Sequence, residues 1–157
     1  MTVEEFKEVL TVLVAAVACV DPEETVQEEN TVGEEQENMS VENLTLDING
    51  KTFTIALYDN ATTKALTQKL PLTLDMQELN SNEKYAYLSF TLPTDAQRYR
   101  QIQKGDVLLY GNSCLVVFYK TFNTSYSYTP IGRIVDTQDL ESTLGKGSVT
   151  AVWTVGE

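Results

Sequence analysis

The chain has 157 residues, with 23 acidic and 11 basic side chains and no histidine. The length is sufficient for one domain with a substantial core, whereas the lack of a large basic patch argues against a nucleic acid partner. Without histidine, and with two cysteines far apart, the sequence also lacks the usual zinc ligand sets, a CxxC motif and a disulfide framework, so we predict no metal and no cofactor.

The negative charge is concentrated at the N-terminus. Residues 1–42 contain 12 acidic side chains and one basic side chain, Lys7, whereas residues 43–157 contain 11 acidic and 10 basic side chains. Residues 21–42 show no apolar periodicity. Because such a segment cannot offset its ordering entropy by burying apolar side chains, we expect a disordered acidic linker there.

Residues 9–20 form an apolar run before this linker. The run is shorter than the roughly 20 residues that span a bilayer as a helix, but it has the length of a signal-peptide core. The small residues Ala16 and Ala18, then Cys19 and the acidic tether, resemble a bacterial lipoprotein signal, in which the cysteine is lipidated. We therefore predict a signal or lipoprotein-like segment over residues 1–20, and a protein exported or anchored to a membrane of the bacterial cell envelope.

Two features depart from the lipoprotein pattern. The segment before the apolar run, MTVEEFKE, is acidic rather than basic, and Ala16 stands where lipoboxes usually carry leucine. The alternative is an amphipathic or buried N-terminal helix in which Cys19 is inert. In that case we expect a cytoplasmic protein.

Residues 43–157 are predicted to form one β-rich domain. Residues 43–48 and 51–58 alternate between apolar and polar side chains, as in half-buried strands. The Asn49-Gly50 pair between them is the strongest short hairpin signal, because both turn positions need a positive φ.

A short helix and two more strands are predicted next. Asp59 or Asn60 can cap a helix over residues 61–70, which Pro71 ends. The stretch PLTLDMQEL is a third strand, and KYAYLSF follows it after a turn.

The second half of the domain contains a hairpin, a short strand, a helix and a last strand. The hairpin strands 107–110 and 115–119 are apolar on both faces, so we expect both faces to be buried. After the short strand IGRIV, Asp136 or Thr137 can cap a short helix closed by Gly145. SVTAVWTV is the last strand.

About eight strands and two helices predict a mainly β fold, a closed eight-stranded β-barrel with two short capping helices. The motifs LYDN, LPLTL, GDVLLYG, FYKTF and GRI occur in this order and resemble the bacterial cyclophilin-like fold family. The resemblance covers about residues 43–155. It implies that residues 43–157 form a cyclophilin-like domain.

True cyclophilins are peptidyl-prolyl isomerases whose site uses an arginine on an inner strand. The corresponding region here, LDMQELNSNEKYAYL, has no arginine, no histidine and no Gly-Gly pair, and Gln77 or Glu78 stands near the expected arginine position. The only arginine in a predicted strand, Arg133, belongs to a different strand. The resemblance therefore implies the fold without the catalytic residues. An isomerase-like enzyme with a non-standard site is the alternative.

Glu78 is a candidate because it shares the parity of the apolar residues of its strand, such as Met76. A carboxylate on an apolar face is costly unless it is paired or lies at a cavity mouth. We expect it either to pair with Lys84 or Arg133 at the strand end, or to contribute to a binding groove.

Tyrosines are dense between residues 85 and 128 and can form core and loop cover or line a groove for a peptide or small molecule. The candidate ligand-binding residues are Glu78, Tyr85, Tyr87, Tyr110, Tyr119 and Arg133, and no catalytic residue is predicted. We expect a binding or accessory module. A domain with a purely structural role is a further alternative.

Cys114 lies beside the Gly-Asn-Ser turn of the predicted hairpin. A nucleophilic thiol needs a base or a positive neighbour, and there is no histidine and no basic residue after it until Lys120. We expect Cys114 to behave as a small buried apolar residue.

Overall fold

The computed structural model describes residues 39–145 and 147–156. The predicted signal segment, Cys19 and most of the predicted acidic linker lie outside the described residues. Within them, no helix has the length and apolar character needed to cross a membrane.

The described residues form eleven strands and two helices. In chain order they are β1 (Met39–Ile48), β2 (Lys51–Tyr58), α1 (Ala61–Thr67), β3 (Leu72–Leu79), β4 (Glu83–Tyr87), β5 (Gln97–Arg98), β6 (Gln101–Ile102), β7 (Asp106–Tyr110), β8 (Cys114–Phe118), β9 (Phe122–Asn123), β10 (Ser127–Ile134), α2 (Leu140–Leu144) and β11 (Val149–Val155).

Eight of these strands close into an antiparallel barrel. The strand order is β2-β1-β11-β3-β4-β8-β7-β10, and β10 pairs again with β2 to complete the circle. The short strand β5 extends β10 on the outside, and β6 pairs with β9 in a separate two-stranded ribbon. The prediction of a mainly β, closed eight-stranded barrel with two helices is confirmed.

The seam between β10 and β2 depends on a close backbone approach at Gly132. The pairing of β10 with β7 shifts register between Pro130 and Gly132, where β10 begins to pair with β2. A Cβ atom on Gly132 would lie 2.4 Å from the carbonyl oxygen of Ala56. Because residue 132 is a glycine, β10 can pair both with β7 and with β2, and the second pairing closes the barrel.

The first hairpin follows the prediction at its turn. Asn49 and Gly50 both have positive φ angles, 54° and 82°. Strand β1 begins at Met39, earlier than the strand predicted from Asn43, and its pairing with β2 shifts register between these two residues. Residues 39–42, assigned to the linker by composition, are thus part of the first strand.

Helix α1 is shorter than predicted, and helix α2 begins later than predicted. Helix α1 ends at Thr67 rather than at residue 70, and Asn60 caps it as predicted, with its side chain accepting from the Thr63 N–H at 2.8 Å. Helix α2 begins after Asp139, whose side chain forms no capping hydrogen bond. The predicted cap Asp136 instead accepts from the Gln138 N–H at 3.0 Å, which stabilises a turn before the helix.

The barrel interior is filled by inward-facing residues of the eight barrel strands. Trp153 is fully buried and is among the largest side chains of the core, which also includes Leu66 of α1 and Leu140 and Leu144 of α2. The helices therefore contribute apolar side chains to the core.

The β7–β8 hairpin is buried on both faces, as predicted. One face, with Val107 and Val117, belongs to the barrel core. The other face, with Leu108, Val116 and Phe118, packs in a second cluster outside the barrel. The remaining buried members of that cluster are Ile102, Cys114 and Tyr128. This outer cluster supports the groove described next.

Candidate functional site

Strand register builds an outer groove across β4, β8 and β7. Tyr87 pairs with Cys114, which pairs with Tyr110 on its other side. Two residues away on each strand, and on the same face, Tyr85 of β4 lies opposite Val116 of β8. Because side chains on one face of paired strands stand beside one another, these residues form a short floor with tyrosines on both sides.

The groove encloses about 300 Å³. Its lining consists of Leu79, Asn80, Glu83, Tyr85, Tyr87, Tyr110, Cys114, Val116, Tyr126 and Tyr128. The Tyr110 ring packs 5.8 Å from the Tyr128 ring and 6.1 Å from the Tyr126 ring, measured between centroids. Tyr87 and Tyr126 are 70% and 61% exposed, so aromatic surface at the groove is open to solvent.

Glu83 is the one carboxylic acid in this lining. Its strand alternates, so that Lys84 and Ala86 are buried on the barrel side while Glu83, Tyr85 and Tyr87 contribute to the groove. Glu83 is only 8% exposed and has no hydrogen-bond or ion-pair partner among the described residues. Burial, together with the nearby negative charge of Glu78, raises the pKa of Glu83 to about 7.

The Cys114 thiol lies in the floor of the groove. Burial and the charge of Glu83 raise its pKa to about 11, so the thiolate form is scarce at neutral pH. The residue is a buried member of the outer cluster beside Val116 and Phe118. The arrangement agrees with the expected role of a small apolar residue.

Glu78 faces the other side of the barrel wall, where it is paired with Lys84. Lys84 is fully buried, and its Nζ lies 2.5 Å from Oε1 of Glu78 and 4.9 Å from the Tyr119 ring centroid. The Tyr119 hydroxyl donates to the same carboxylate at 2.6 Å, and the Ser81 N–H donates to its second oxygen. Of the two partners expected for Glu78, the structure therefore selects Lys84 and not Arg133.

These contacts keep Glu78 ionised. Burial acts to raise its pKa, but hydrogen bonds from Lys84, Tyr119 and Ser81 outweigh burial and lower the pKa below the ordinary value. Burial and the hydrogen bond to Glu78 raise the pKa of Tyr119, so its hydroxyl remains a donor.

Glu78 and Tyr119 also line a second, polar cavity of about 620 Å³ at one end of the barrel. Its charged groups already have partners. Glu141 lies 3.9 Å from Nζ of Lys104 and 3.7 Å from Nζ of Lys120, and Glu78 pairs with Lys84. Unlike the outer groove, this cavity therefore has no charged side chain in its lining that lacks an ion-pair partner among the described residues.

Arg133 is separate from both places. It is half-exposed on β10, with its Nε 3.5 Å from Oδ1 of Asp106. Burial raises the pKa of Asp106, while the Gln103 N–H and Arg133 oppose that shift. Arg133 does not line the groove.

The six predicted site residues thus divide into three groups. Tyr85, Tyr87 and Tyr110 meet in the groove, Glu78 and Tyr119 meet inside the barrel end, and Arg133 pairs with Asp106. Sequence reasoning missed Glu83. It placed Tyr126 and Tyr128 in the tyrosine-rich stretch that can line a groove, but did not include them among the candidate residues. For Glu83 a signal was present, because it shares the parity of Tyr85 and Tyr87 in its strand.

No group of three or more potential metal ligands occurs among residues 39–145 and 147–156. The groove presents ring faces, hydroxyls and one unpaired carboxyl group.

The eight-stranded barrel with two helices is the architecture of a cyclophilin-like fold, and a comparison of the sequence with protein families leads to the same class. The profile of the Cyclophilin-like family matches residues 46–154, and the chain belongs to that family. The solution structure of the hypothetical protein AF2241 from Archaeoglobus fulgidus is similar in fold, with a TM-score of 0.56 and 17% sequence identity over 72% of this chain and 93% of that chain. No curated protein sequence matches significantly.

Proposed function

We propose that this cyclophilin-like domain is a binding or accessory module that takes a short peptide or small molecule into the outer tyrosine groove. The observation that carries the proposal is Glu83, an almost fully buried residue that lines the groove without a hydrogen-bond or ion-pair partner among the described residues. Burial disfavours the charged form of Glu83 and raises its pKa, so a partner supplied by a ligand would stabilise the ionised carboxylate.

The aromatic surface around Glu83 supports the same proposal. Tyrosines combine a large apolar area with a hydroxyl and are frequent in binding surfaces. Tyr87, Tyr110 and Tyr126 are all exposed at the groove although each contacts another tyrosine ring. A volume of about 300 Å³ suits one or two side chains rather than a large cofactor.

The test is an amide NMR titration of the isotope-labelled chain with a library of short capped peptides. We expect a subset to perturb the amides of β4, β7 and β8, and Tyr110→Ala to weaken that response. Val135→Ala is the matched control, because Val135 is an exposed apolar side chain that does not line the groove. If no peptide perturbs the groove amides, the binding proposal is wrong.

A peptidyl-prolyl isomerase with a non-standard site is the alternative activity. None of the described arginines lines the groove, and Arg133 is engaged with Asp106. The groove therefore offers no cationic donor of the kind that cyclophilins use, and we propose that the domain has no efficient isomerase activity.

For the location of the protein we propose a lipid anchor at Cys19 that attaches it to a membrane of the bacterial cell envelope. The proposal depends on the apolar run before Cys19 and the acidic segment after it. The mature protein should fractionate with membranes and be released by Cys19→Ser, because a multiply acylated cysteine anchors firmly. A soluble cytoplasmic chain with Met1 intact would contradict the anchor.

A further inference from the structure

We propose that the outer groove recognises a cationic side chain of a peptide, the guanidinium of arginine or the ammonium of lysine, with Glu83 as its counter-ion and the tyrosines as its walls. This inference depends on the proposed binding function and adds the charge of the ligand.

Charge complementarity is the first argument. Glu83 is the only aspartate or glutamate of the lining, and no lysine or arginine of the described residues lines the groove. Its neighbour Lys84 is on the opposite face and is held by Glu78. A bound cation would therefore meet an unopposed negative charge.

Three other carboxylates that lie near a cavity contrast with Glu83. Glu78 is paired with Lys84, and Asp139 with Lys51 at 2.7 Å. Glu141 has two lysines within 4 Å. Glu83 is more buried than Asp139 and Glu141, yet unlike them it has no cation within ion-pair distance among the described residues. A cationic ligand would supply the counter-ion that Glu83 lacks.

The aromatic walls are the second argument. Cations are attracted to the faces of aromatic rings, by roughly 0.5–1 kcal/mol at exposed sites and more when the cation is desolvated. Tyr85 and Tyr87 stand edge to face beside Glu83 on β4, and Tyr110 and Tyr128 close the opposite side. A guanidinium or ammonium above this floor would meet ring faces as well as a carboxylate.

The experiment compares two peptides of nearly identical shape. Acetyl-Gly-Arg-Gly-amide and acetyl-Gly-citrulline-Gly-amide differ in the charge of one side chain, and both are titrated at pH 8 into the 157-residue chain by calorimetry and amide NMR. We expect the arginine peptide to bind at least about tenfold more tightly, because hydrogen bonds to charged groups are among the stronger polar contacts.

Two variants assign that preference to the groove. Glu83→Gln should remove the preference for arginine over citrulline. Glu141→Gln, which changes the net charge equally at an exposed site away from the groove, should keep it. Amide spectra with unchanged dispersion establish that each variant is folded.

Each outcome decides the inference. Equal affinity for the two peptides, or a preference for arginine that survives Glu83→Gln, overturns recognition of a cation. If neither peptide binds while other members of the peptide library perturb the groove, the inference fails and the binding function stands. If no member of the library binds, both fail.

Discussion

Glu83 and Lys84 are adjacent in the chain, yet their side chains lie on opposite faces of strand β4. Lys84 is fully buried on the barrel side, where its Nζ lies 2.5 Å from Glu78, whereas Glu83 lines the outer groove. The pleat of one strand thus separates a paired cation from an unpaired carboxyl group. The pair neutralises the buried lysine at the barrel end, and the unpaired group lies in the groove.

The first prediction concerns the pH dependence of stability at Glu83. Burial raises the folded-state pKa from 4.5 to about 7, so the folded state binds more protons than the unfolded state between these pH values. Stability is therefore lost as pH rises through this window. We expect Glu83→Gln, which carries no charge, to be more stable than the native chain at pH 8 by about 1–3 kcal/mol, and nearly equal to it at pH 4.

Urea unfolding of both chains at several pH values measures this difference. Glu141→Gln is the control, since Glu141 is half-exposed and ion pairs at such sites contribute little to stability. A Glu83→Gln variant that is less stable than the native chain at pH 8 would contradict the account of Glu83 as an unpartnered group.

The second prediction concerns the buried ion pair. Glu78→Gln leaves the fully buried Lys84 charge without its counter-ion, and we expect it to lower the free energy of unfolding by about 3 kcal/mol or more. Lys84→Met leaves Glu78, which is partly exposed and still accepts from Tyr119 and Ser81, so its cost should be smaller. The double variant should be more stable than Glu78→Gln alone.

A double-mutant cycle by urea unfolding gives the coupling energy directly. Additive effects of the two substitutions would show that the two side chains do not interact. The reverse order of the single variants, with Lys84→Met the costlier, would show that burial of the lysine charge does not dominate.

The third prediction concerns the cap of α1. Asn60 accepts from the Thr63 N–H and donates from Nδ2 to the Pro130 carbonyl at 3.0 Å, so one side chain fixes the helix to β10. Asn60→Ala should cost about 1–2 kcal/mol of unfolding free energy. Asn60→Asp retains the accepting oxygen and should cost less. The control Asp59→Asn, which disturbs only an exposed ion pair with Lys64, should stay within about 0.5 kcal/mol.

The fourth prediction is that the chain shows little or no prolyl isomerase activity. Electrostatic donors at a reacting group are typically worth about a hundred- to a thousandfold in rate, and the groove has no arginine to act as one. The measurement is the cis-to-trans conversion of a short Xaa-Pro peptide, with an authentic cyclophilin as the positive control. A comparable rate would contradict the prediction and direct attention to Arg98 and Arg133, each testable by change to alanine.

Much of the fold followed from local pattern. The alternation of residues 43–48 and 51–58 and the Asn49-Gly50 turn specify a hairpin whatever its surroundings, and the two apolar faces of the β7–β8 hairpin required cover on both sides. Glu78 is two residues from Met76 in the same strand, and this spacing correctly predicted that both side chains lie on the same face of the barrel wall. These features depend on neighbours that are close in sequence.

The groove depends on register between distant segments, which pattern does not fix. Tyr87 and Tyr110 become neighbours only because β4 and β7 both pair with β8 at Cys114. Tyr119 lies one residue beyond β8 and packs in the barrel core, apart from the groove tyrosines, and the density of tyrosines alone does not show this separation. Glu83 was missed because an acidic residue at the start of a strand is usually exposed to solvent. The residues that bury it come from distant segments of the chain, which the local pattern does not place.

The most direct test of the proposed recognition site is the titration of the Glu83 carboxyl group itself, followed by carbon NMR with and without the arginine peptide. The ionisable groups that share the groove are Tyr85 and Tyr87 on β4, Cys114 on β8, Tyr110 on β7 and Tyr126 and Tyr128 at β10, with Glu78 acting from β3. Burial raises the pKa of Cys114 to about 11 and that of Tyr128 to about 12, so neither titrates near neutral pH.

We expect a pKa of about 7 for Glu83 in the free protein, because its carboxylate is desolvated and lies near Glu78. The bound arginine side chain should lower that pKa, since an opposite charge favours the ionised form, and the citrulline peptide should leave it in place. A pKa near 4.5 in the free protein, or one that the arginine peptide does not lower, would contradict the assignment of Glu83 as the unpaired charge of a binding groove.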